Sequence, residues 1–220
     1  MAVVSKIWEI YFPTFYGPFA TAEPCSINAG PMIDDTNLPT GLIFKWQPGN
    51  EVAGDCVAPW GRAEIIIRKE LAIHALEQFG GLKQVPVNAL GTPRKKGARK
   101  KLVQPIEFAA LWPTHWVSYD EEISTVGLQD SWVGMPLKSI LGAQRIDLDF
   151  RSIPGKCIPI EYLRIPGKGM FIYKSKLENF QVFRVRQFPA KIHCSDQFRN
   201  FFIEHNVTNI VFLEVGDVIE

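Results

Sequence analysis

The stretch that decides the fold is AEIIIRKELAIHALEQFGGLKQVPV, which occupies residues 63–87. Residues 63–67 are rich in β-branched side chains and predict a short buried strand. Over residues 69–79 the apolar side chains recur at the spacing of one helical face, which predicts an amphipathic helix. A pair of glycines follows, at the place where a left-handed residue commonly ends a helix, and residues 82–87 predict another strand. The stretch is therefore expected to form a strand–helix–strand unit.

A second strand–helix–strand unit is predicted at the end of the sequence. Residues 190–193 predict a strand, Ser195 is a favourable N-cap residue, and Asn206 suits the left-handed position after a helix. The helix between them presents an aromatic stripe at helical spacing, formed by Phe198, Phe201 and Phe202. Residues 207–215 then predict a strand whose apolar run favours burial on both faces. The two units indicate either an internal duplication or two independent examples of a common motif.

The segment before the first unit is rich in proline and glycine. Residues 5–12 are β-branched and aromatic and predict a first strand. Residues 13–61 contain seven prolines and six glycines, which excludes long helices there. Because the same segment carries many aromatic side chains, we expect an ordered coil that packs on the body of the protein.

The middle of the chain predicts further strands and little helix. Strand-like pieces occupy residues 101–111, 170–173 and 180–185. Residues 134–144 predict one short helix. Two copies of Ile-Pro-Gly-Lys within residues 153–168 predict a hairpin with matched turns, because Pro-Gly pairs favour type II turns.

Residues 183–186 alternate between apolar and charged side chains, which predicts a half-exposed strand with Arg184 facing solvent. Together with the other elements, this predicts an α+β fold with mixed β-sheet and few short helices. A chain of 220 residues allows one large domain or two small ones. We predict a single domain over residues 1–220, with two lobes at 1–144 and 145–220.

The composition is that of an ordinary folded protein. With 46% hydrophobic residues and a formal net charge of +1, the chain is not expected to be intrinsically disordered. It has no run of about eighteen apolar residues, so no membrane span is predicted. Its first residues lack the charge pattern of a secretory signal. The four cysteines are widely separated, at Cys25, Cys56, Cys157 and Cys194. We therefore expect a cytoplasmic protein with reduced, separate thiols.

The sharpest local feature is a basic cluster in residues 94–101. Six of these eight residues are cations, namely Arg94, Lys95, Lys96, Arg99, Lys100 and Lys101. The remainder of the chain holds 18 basic and 23 acidic residues, so an acidic body carries one basic loop. The cluster predicts a contact with phosphates or with an acidic protein surface. The alternative is a solvated loop without a partner, which is favoured because no RNA-binding aromatic motif accompanies the cluster.

Metal binding and catalysis lack a recognisable motif. His193 and Cys194 are adjacent, so in a strand their side chains point to opposite faces and cannot easily share a metal. His205 lies near a predicted helix C-terminus, where a histidine commonly caps backbone carbonyls. Neither a nucleophile elbow nor a phosphate-binding loop is present. We predict no catalytic residue, no metal site and no cofactor. An uncharacterised enzyme that uses His193, Cys194 or His205 stays as an alternative.

Aromatic residues are candidates for a partner interface. The chain has six tryptophans and fifteen phenylalanines, most of which must lie in the core. Trp112 and Trp116 are candidate partner-binding residues, because tryptophan is favoured at interface hot spots. His115 between them is expected to be a packed aromatic neighbour. The predicted partner site therefore combines the basic cluster with these two tryptophans.

Several patterns together resemble a known bacterial family. They are Cys25 in an irregular segment, Pro48-Gly49 followed by Gly54 and Trp60-Gly61, the stretch Glu64–Val87 and the closing stretch Val182–Val215. This arrangement covers about two-thirds of the chain and resembles the double-CxxCG-motif proteins and related immunity proteins of polymorphic toxin systems. The two Cys-x-x-Cys-Gly knuckles are absent, since Cys25 and Cys157 each stand alone, so a zinc role does not carry over.

The resemblance implies a non-enzymatic cytoplasmic protein that binds and neutralises a cognate toxin made by the same cell. Binding would use a preformed rigid surface with matching charge and a few aromatic anchors. Nucleic-acid binding through residues 94–101 is the alternative function, and it predicts an affinity that falls steeply as the salt concentration rises.

Overall fold

The computed structural model describes residues 2–12, 20, 22–25, 41–47, 52–57, 64–93, 97, 106–124, 144–145, 162–163 and 169–220. This part of the chain has fourteen strands and three helices. The strands are β1 (Val3–Tyr11), β2 (Ala22–Pro24), β3 (Leu42–Trp46), β4 (Cys56–Val57), β5 (Ile65–Arg68), β6 (Leu82–Leu90), β7 (Phe108–Pro113), β8 (Trp116–Val117), β9 (Gln144–Arg145), β10 (Tyr162–Leu163), β11 (Met170–Tyr173), β12 (Val182–Val185), β13 (Phe188–Ser195) and β14 (Val211–Ile219). The helices are α1 (Lys69–Gln78), α2 (Lys174–Leu177) and α3 (Asp196–Glu204).

Twelve of these strands form two six-stranded mixed sheets. The first sheet has the order β11-β14-β1-β13-β12-β8, and the second has the order β2-β3-β6-β7-β5-β4. The parallel pairs are β11–β14 and β12–β8 in the first sheet and β3–β6 in the second. Strands β9 and β10 pair with each other in antiparallel fashion. The predicted α+β class, with mixed sheets and few short helices, is confirmed.

The strand–helix–strand unit predicted within residues 63–87 is present as β5, α1 and β6. Helix α1 begins directly after β5 and buries Ala72 and Ala75 in the core. Strand β6 continues to Leu90, beyond the predicted end. Gly81 has a φ of +77°, so one of the two predicted glycines is the left-handed residue that follows the helix, immediately before β6.

The C-terminal unit is present as β13, α3 and β14. Helix α3 buries the predicted aromatic stripe of Phe198, Phe201 and Phe202. Asn206 has a φ of +50°, as predicted for the left-handed residue after this helix. Ser195 is the N-cap residue, but its hydroxyl donates to the side-chain oxygen of Gln181 instead of bonding to the helix. The prediction of the N-cap position is therefore confirmed, whereas the hydroxyl contacts the residue directly before β12.

Residues 13–61, predicted as a coil, contain the three short strands β2, β3 and β4. Strand β3 alternates strictly, with Leu42, Phe44 and Trp46 buried and Ile43 and Lys45 exposed. Frequent prolines and glycines exclude long helices but leave room for short strands, and the period of two in β3 is the signal for one. The aromatic side chains are packed as expected, since the ring centres of Phe44 and Trp46 lie 5.2 Å apart.

The prediction that Arg184 faces solvent is wrong. All four residues of β12 are buried, and Arg184 is 0% exposed. Strand β12 lies inside the first sheet, between β13 and β8. Alternation along a strand indicates exposure only where one face meets water. Here the guanidinium group stacks on a tryptophan ring instead.

Three other strand predictions are confirmed, two of them with adjusted ends. The first strand, predicted at residues 5–12, is β1 and begins at Val3. The strand predicted at 170–173 is β11, with the same bounds. Of the strand predicted at 101–111, residues 101–105 lie outside the described residues, and residues 108–111 belong to β7, which begins at Phe108.

Two predictions fall mostly outside the described residues. These are the short helix at residues 134–144 and the hairpin within residues 153–168. From the first of these ranges only Gln144 is described, as the first residue of β9. From the second only Tyr162–Leu163 is described, as β10 paired with β9.

Helices α1 and α3 and one face of each large sheet share a central core. The Phe79 side chain, directly after α1, contacts two aromatic residues of α3, with ring centres 4.9 Å from Phe198 and 5.5 Å from Phe201. The opposite face of the first sheet packs a second cluster that includes Phe183, and the opposite face of the second sheet packs a third that includes Phe44. Aromatic burial therefore holds the two sheets and their helices together.

The first sheet takes strands from both ends of the chain. Strand β1 lies between β14 and β13, and strand β8 pairs with β12. A sheet built mainly from the C-terminal part thus includes two strands that come early in the sequence. The single domain over residues 1–220 and the lobes at 1–144 and 145–220 stay predictions. The first sheet contains strands from both sides of the boundary between residues 144 and 145.

Candidate functional site

Strands β3 and β6 present an exposed surface on the second sheet. The strands are parallel, with Ile43 in register with Asn88 and Lys45 in register with Leu90. Registered residues of neighbouring strands point to the same side of a sheet. The side chains of Ile43 and Leu90 are 39% and 43% exposed, although both are large and apolar. We call the surface formed by Ile43, Lys45, Pro86, Asn88 and Leu90 the open face.

The open face follows from the position of helix α1 and from the packing behind β3. Helix α1 packs on β5, β6 and β7, whereas β3 lies on the other side of β6. On its opposite side, β3 buries Phe44 and Trp46, whose ring centres each lie 5.9 Å from that of Phe108. A sheet anchored by three aromatic side chains holds the exposed residues in a fixed arrangement. Such a surface can bind a partner without a large ordering cost.

The charge on the open face is mixed. Lys45 is the Cα partner of Glu23 on the neighbouring strand β2. The carboxylate of Glu23 accepts a hydrogen bond from the side-chain amide of Gln47. A lysine next to a carboxylate and two apolar side chains is the kind of polar and apolar mixture that protein interfaces use.

The basic cluster follows the open face along the chain. Leu90 ends β6, and Gly91, with a φ of +82°, turns the chain immediately after it. The six predicted partner-binding cations lie outside the described residues: Arg94, Lys95, Lys96, Arg99, Lys100 and Lys101. Gly97, between them, is exposed and has a φ of +83°. Partner contact through these cations stays a prediction.

The two predicted tryptophans are brought together by Arg184. The carbon at the centre of its guanidinium group lies 3.9 Å from the ring centre of Trp112 and 5.1 Å from that of Trp116. Trp112 is buried, and Trp116 is half-buried. The backbone N–H of Arg184 donates to the carbonyl of His115 at 2.9 Å, which fixes β12 beside β8. Of the two tryptophans, Trp116 is the one that keeps accessible surface for a partner.

His115 is packed, as predicted. Its Nε2 atom lies 3.0 Å from the carbonyl oxygen of Lys176, and its ring centre lies 4.4 Å from that of Phe180. A hydrogen-bonded ring nitrogen and a ring packed against an aromatic side chain are features of a structural histidine. This contact ties the segment between β7 and β8 to helix α2.

His193 and Cys194 lie on opposite faces of β13, as predicted. Cys194 belongs to the central core, whereas the His193 ring stacks on Phe183, with ring centres 6.2 Å apart. Burial, together with the positive charge of Lys191, lowers the pKa of His193 to about 3. Burial raises the pKa of the Cys194 thiol well above its usual value. A thiol held in its protonated form is a weak nucleophile and a poor metal ligand.

His205 caps the C-terminus of helix α3, as predicted. Its Nδ1 atom lies 2.8 Å from the carbonyl oxygen of Phe201. The ring also packs on the Phe201 ring, with centres 4.3 Å apart, and lies 6.1 Å from the ring of His74 on helix α1. His205 therefore satisfies a backbone carbonyl at a helix end.

Buried carboxylates of the first sheet are paired with lysines. Glu9 on β1 forms a 2.5 Å ion pair with Lys191 on β13. Asp217 on β14 forms a 3.0 Å ion pair with Lys6 on β1. Each pair joins neighbouring strands and so compensates the charge of a carboxylate that the sheet buries.

Within the described residues, no group of three or more His, Cys, Asp or Glu side chains could hold a metal ion. Three cysteines in this part of the chain are free thiols, namely Cys25, Cys56 and Cys194. None of the described helices is long and apolar enough to cross a membrane.

Neither the protein-family models nor the curated proteins give a match to this chain. The likeness to immunity proteins therefore stays a prediction from the sequence patterns.

Sequence reasoning missed the open face and the role of Arg184. The open face could have been found from the strict alternation in Leu-Ile-Phe-Lys-Trp, which places Ile43 and Lys45 opposite three core residues. Arg184 carried a misleading signal, since an arginine between apolar residues usually marks an exposed position.

Proposed function

We propose that this chain is a non-enzymatic protein-binding protein, that it acts in the cytoplasm, and that its partner is a toxin which it neutralises by covering a functional surface. The observation that carries protein binding is the open face, where Ile43 and Leu90 are 39% and 43% exposed on a well-anchored sheet. Exposed apolar side chains on a rigid surface with polar neighbours are typical of interaction sites. The toxin as partner rests on the sequence resemblance alone.

Structural roles of the potentially reactive residues also support a binding function. The Cys194 thiol stays protonated, His193 stays neutral, and His205 caps a helix. These are the residues on which the alternative of an uncharacterised enzyme relied. Their contacts within the fold favour a scaffold over a reaction centre.

The proposal is tested by co-purification. The tagged chain is expressed together with the product of each adjoining gene, and a toxic product is expected both to co-purify with the chain and to stop arresting growth in its presence. The toxin hypothesis fails if no adjoining gene product binds. Protein binding without a toxin as partner is a separate question. It is tested by whether a captured protein binds the chain reversibly and with a fixed stoichiometry.

The open face is tested with a matched pair of double variants. Ile43→Glu with Leu90→Glu places two charges on the open face and is expected to weaken partner binding at least about tenfold, because charges are poorly tolerated at a desolvated interface. Ile73→Glu with Ile203→Glu is the control. These two isoleucines are 42% and 49% exposed, on helices α1 and α3. Equal binding by both double variants would exclude the open face as the contact.

Nucleic-acid binding is the second candidate function, and the basic cluster is the observation that favours it. Substitution of four of its lysines by Gln, at Lys95, Lys96, Lys100 and Lys101, is then expected to abolish binding to duplex DNA or RNA. Binding by the unmodified chain should weaken steeply with salt. The control carries the same loss of charge at four exposed positions outside both the basic cluster and the open face: Lys83, Lys174, Lys176 and Arg186. Absence of salt-dependent binding by the unmodified chain would remove this candidate.

A further inference from the structure

We infer that the two halves of the molecule are two copies of one structural unit, and that strand β1, although first in the chain, is the final strand of the second copy. The inference goes beyond the proposed function and does not depend on it. It rests on sheet topology, on the connection between strand and helix, and on reciprocal contacts between the halves.

The two large sheets match strand by strand. In the second sheet the order β3-β6-β7-β5-β4 has one parallel pair, β3–β6, followed by three antiparallel pairs. In the first sheet the order β11-β14-β1-β13-β12 has one parallel pair, β11–β14, followed by three antiparallel pairs. Five strands therefore correspond in position and in direction. The additional strands, β2 and β8, lie at edges of these matched sets.

The connections within the two units also match. In each unit a strand leads without a loop into the helix, from Arg68 to Lys69 and from Ser195 to Asp196. Each helix then leads to a strand of nine residues, β6 or β14. In each unit these two strands are parallel, with a third strand between them, which is β7 in one unit and β1 in the other. Both units therefore contain a strand–helix–strand element whose two parallel strands are separated in the sheet by a third strand.

The halves contact each other reciprocally. Asp55, just before β4, bonds to Thr208, just before β14. Phe180, just before β12, packs on Gly81, just before β6, so closely that a Cβ atom on Gly81 would lie 2.6 Å from the Phe180 ring. Strand β4 corresponds to β12, and β6 corresponds to β14. In both contacts, therefore, the residue before the β4-type strand of one half meets the segment before the β6-type strand of the other half. Reciprocal contacts of this kind are characteristic of two-fold related units.

The two copies differ in how the middle strand is connected. Strand β7 follows β6 along the chain, whereas β1 precedes every other element. In space, however, β1 and β14 are arranged like a hairpin, with Val3 in register with Ile219 and the N–H of Glu220 3.3 Å from the carbonyl oxygen of Ala2. If residue 220 were joined to residue 2, β14 would lead directly into β1 along the chain, as β6 leads into β7.

It follows that the C-terminal copy is incomplete until β1 inserts between β13 and β14. The ion pairs of Glu9 with Lys191 and of Lys6 with Asp217 form only in that arrangement. Strand β1 thus acts as a complementing strand that couples the beginning of the chain to its last strand.

Three circular permutants of the full chain test this inference. In all three, residue 220 is joined to residue 2 by a short Gly/Ser linker. The first permutant is opened within residues 13–19, which makes the second copy continuous. The second is opened within residues 91–105, between β6 and β7. Strand β7 then becomes the first strand of the permuted chain, as β1 is the first strand of the natural one. The third, a control, is opened at residues 186–187, between β12 and β13, and so cuts through a copy while leaving the junction of Asp55 with Thr208 intact.

The first two permutants are expected to fold cooperatively, with the circular dichroism spectrum of the parent chain and a Tm within about 10 °C of it. The third is expected to lose at least about 15 °C in Tm or to remain unfolded. The inference is overturned if either of the first two permutants fails to fold, or if the third is as stable as they are.

Discussion

The carboxylate of Asp55 accepts two hydrogen bonds from Thr208, one from the backbone N–H at 2.9 Å and one from the hydroxyl at 2.6 Å. The Thr208 hydroxyl oxygen accepts the backbone N–H of Asp55 at 2.9 Å, and the Thr208 carbonyl accepts the N–H of Cys56 at 3.1 Å. Arg68 forms a 2.7 Å ion pair with the same carboxylate. These contacts join the edge strand β4 of the second sheet to the loop that leads into β14 of the first.

The first prediction concerns this junction. Thr208→Val keeps the shape of the side chain but removes the hydroxyl, so the Asp55 N–H and one carboxylate oxygen each lose a partner. We expect the free energy of unfolding to fall by about 2 kcal/mol. Urea denaturation measures this change. Thr92→Val is the matched control, since the Thr92 hydroxyl makes no hydrogen bond in the described part of the chain. Equal stability of both variants would show that the junction contributes little.

A second prediction concerns Gly216 on β14. A Cβ atom at this position would lie 2.0 Å from the carbonyl oxygen of Met170, its registered partner on β11. The backbones of the two strands must therefore separate in Gly216→Ala, and we expect a loss of about 3 kcal/mol in the free energy of unfolding. Gly41→Ala is the control, because its added Cβ would meet only the Pro86 carbonyl oxygen, at 3.7 Å. Urea denaturation measures both changes. A Gly216→Ala protein that unfolds at the same urea concentration as the parent chain would contradict the prediction.

The buried His193 predicts a dependence of stability on pH. Its pKa in the folded protein is about 3, because burial and Lys191 both disfavour the charged form, whereas an unfolded histidine has a pKa of about 6.5. Below pH 6.5 the unfolded state therefore binds more protons. Stability falls as the pH drops from about 6.5 towards 3, with a contribution from this group of up to about 1.4 kcal/mol per pH unit.

Denaturation curves between pH 7 and pH 4 test this dependence. His193→Leu should show a flatter profile than the parent chain, because the group that must be protonated on unfolding is gone. His74→Gln is the control, since His74 is exposed on helix α1. Identical slopes for His193→Leu and the parent chain would mean that other groups cause the acid sensitivity.

The contact of the Arg184 guanidinium group with the rings of Trp112 and Trp116 gives a fourth prediction. Arg184→Lys keeps the charge but loses the planar group that packs on both rings, so we expect a loss of about 2 kcal/mol in the free energy of unfolding. The same experiment should show a changed tryptophan fluorescence in the native state, because the group beside both rings is altered. Arg186→Lys, at an exposed position on the same segment, is expected to change stability by less than about 0.5 kcal/mol. A native, unchanged emission spectrum in Arg184→Lys would argue against the stack.

Much of the candidate site required the folded structure. The alternation in β3 shows that Ile43 lies opposite core residues, but its pairing with Asn88 on β6 brings together positions far apart in the chain. Likewise, the two tryptophans were predicted as partner-binding residues, whereas their shared contact, Arg184, comes from a strand about seventy residues later. Local patterns indicate which side chains share a face, but not which strand lies next to them.

The sequence by itself determined the two strand–helix–strand units, the aromatic stripe of α3, the left-handed Asn206 and the capping role of His205. Each of these depends on periodicity or on a helix end, which are set by interactions within a few residues. Only the tertiary structure decided that β1 inserts between β13 and β14, that Arg184 is buried and that Ile43 and Leu90 lie side by side on an exposed part of the second sheet. These depend on contacts between distant parts of the chain, where the pairing that buries the most apolar surface and satisfies the backbone overrides local preference.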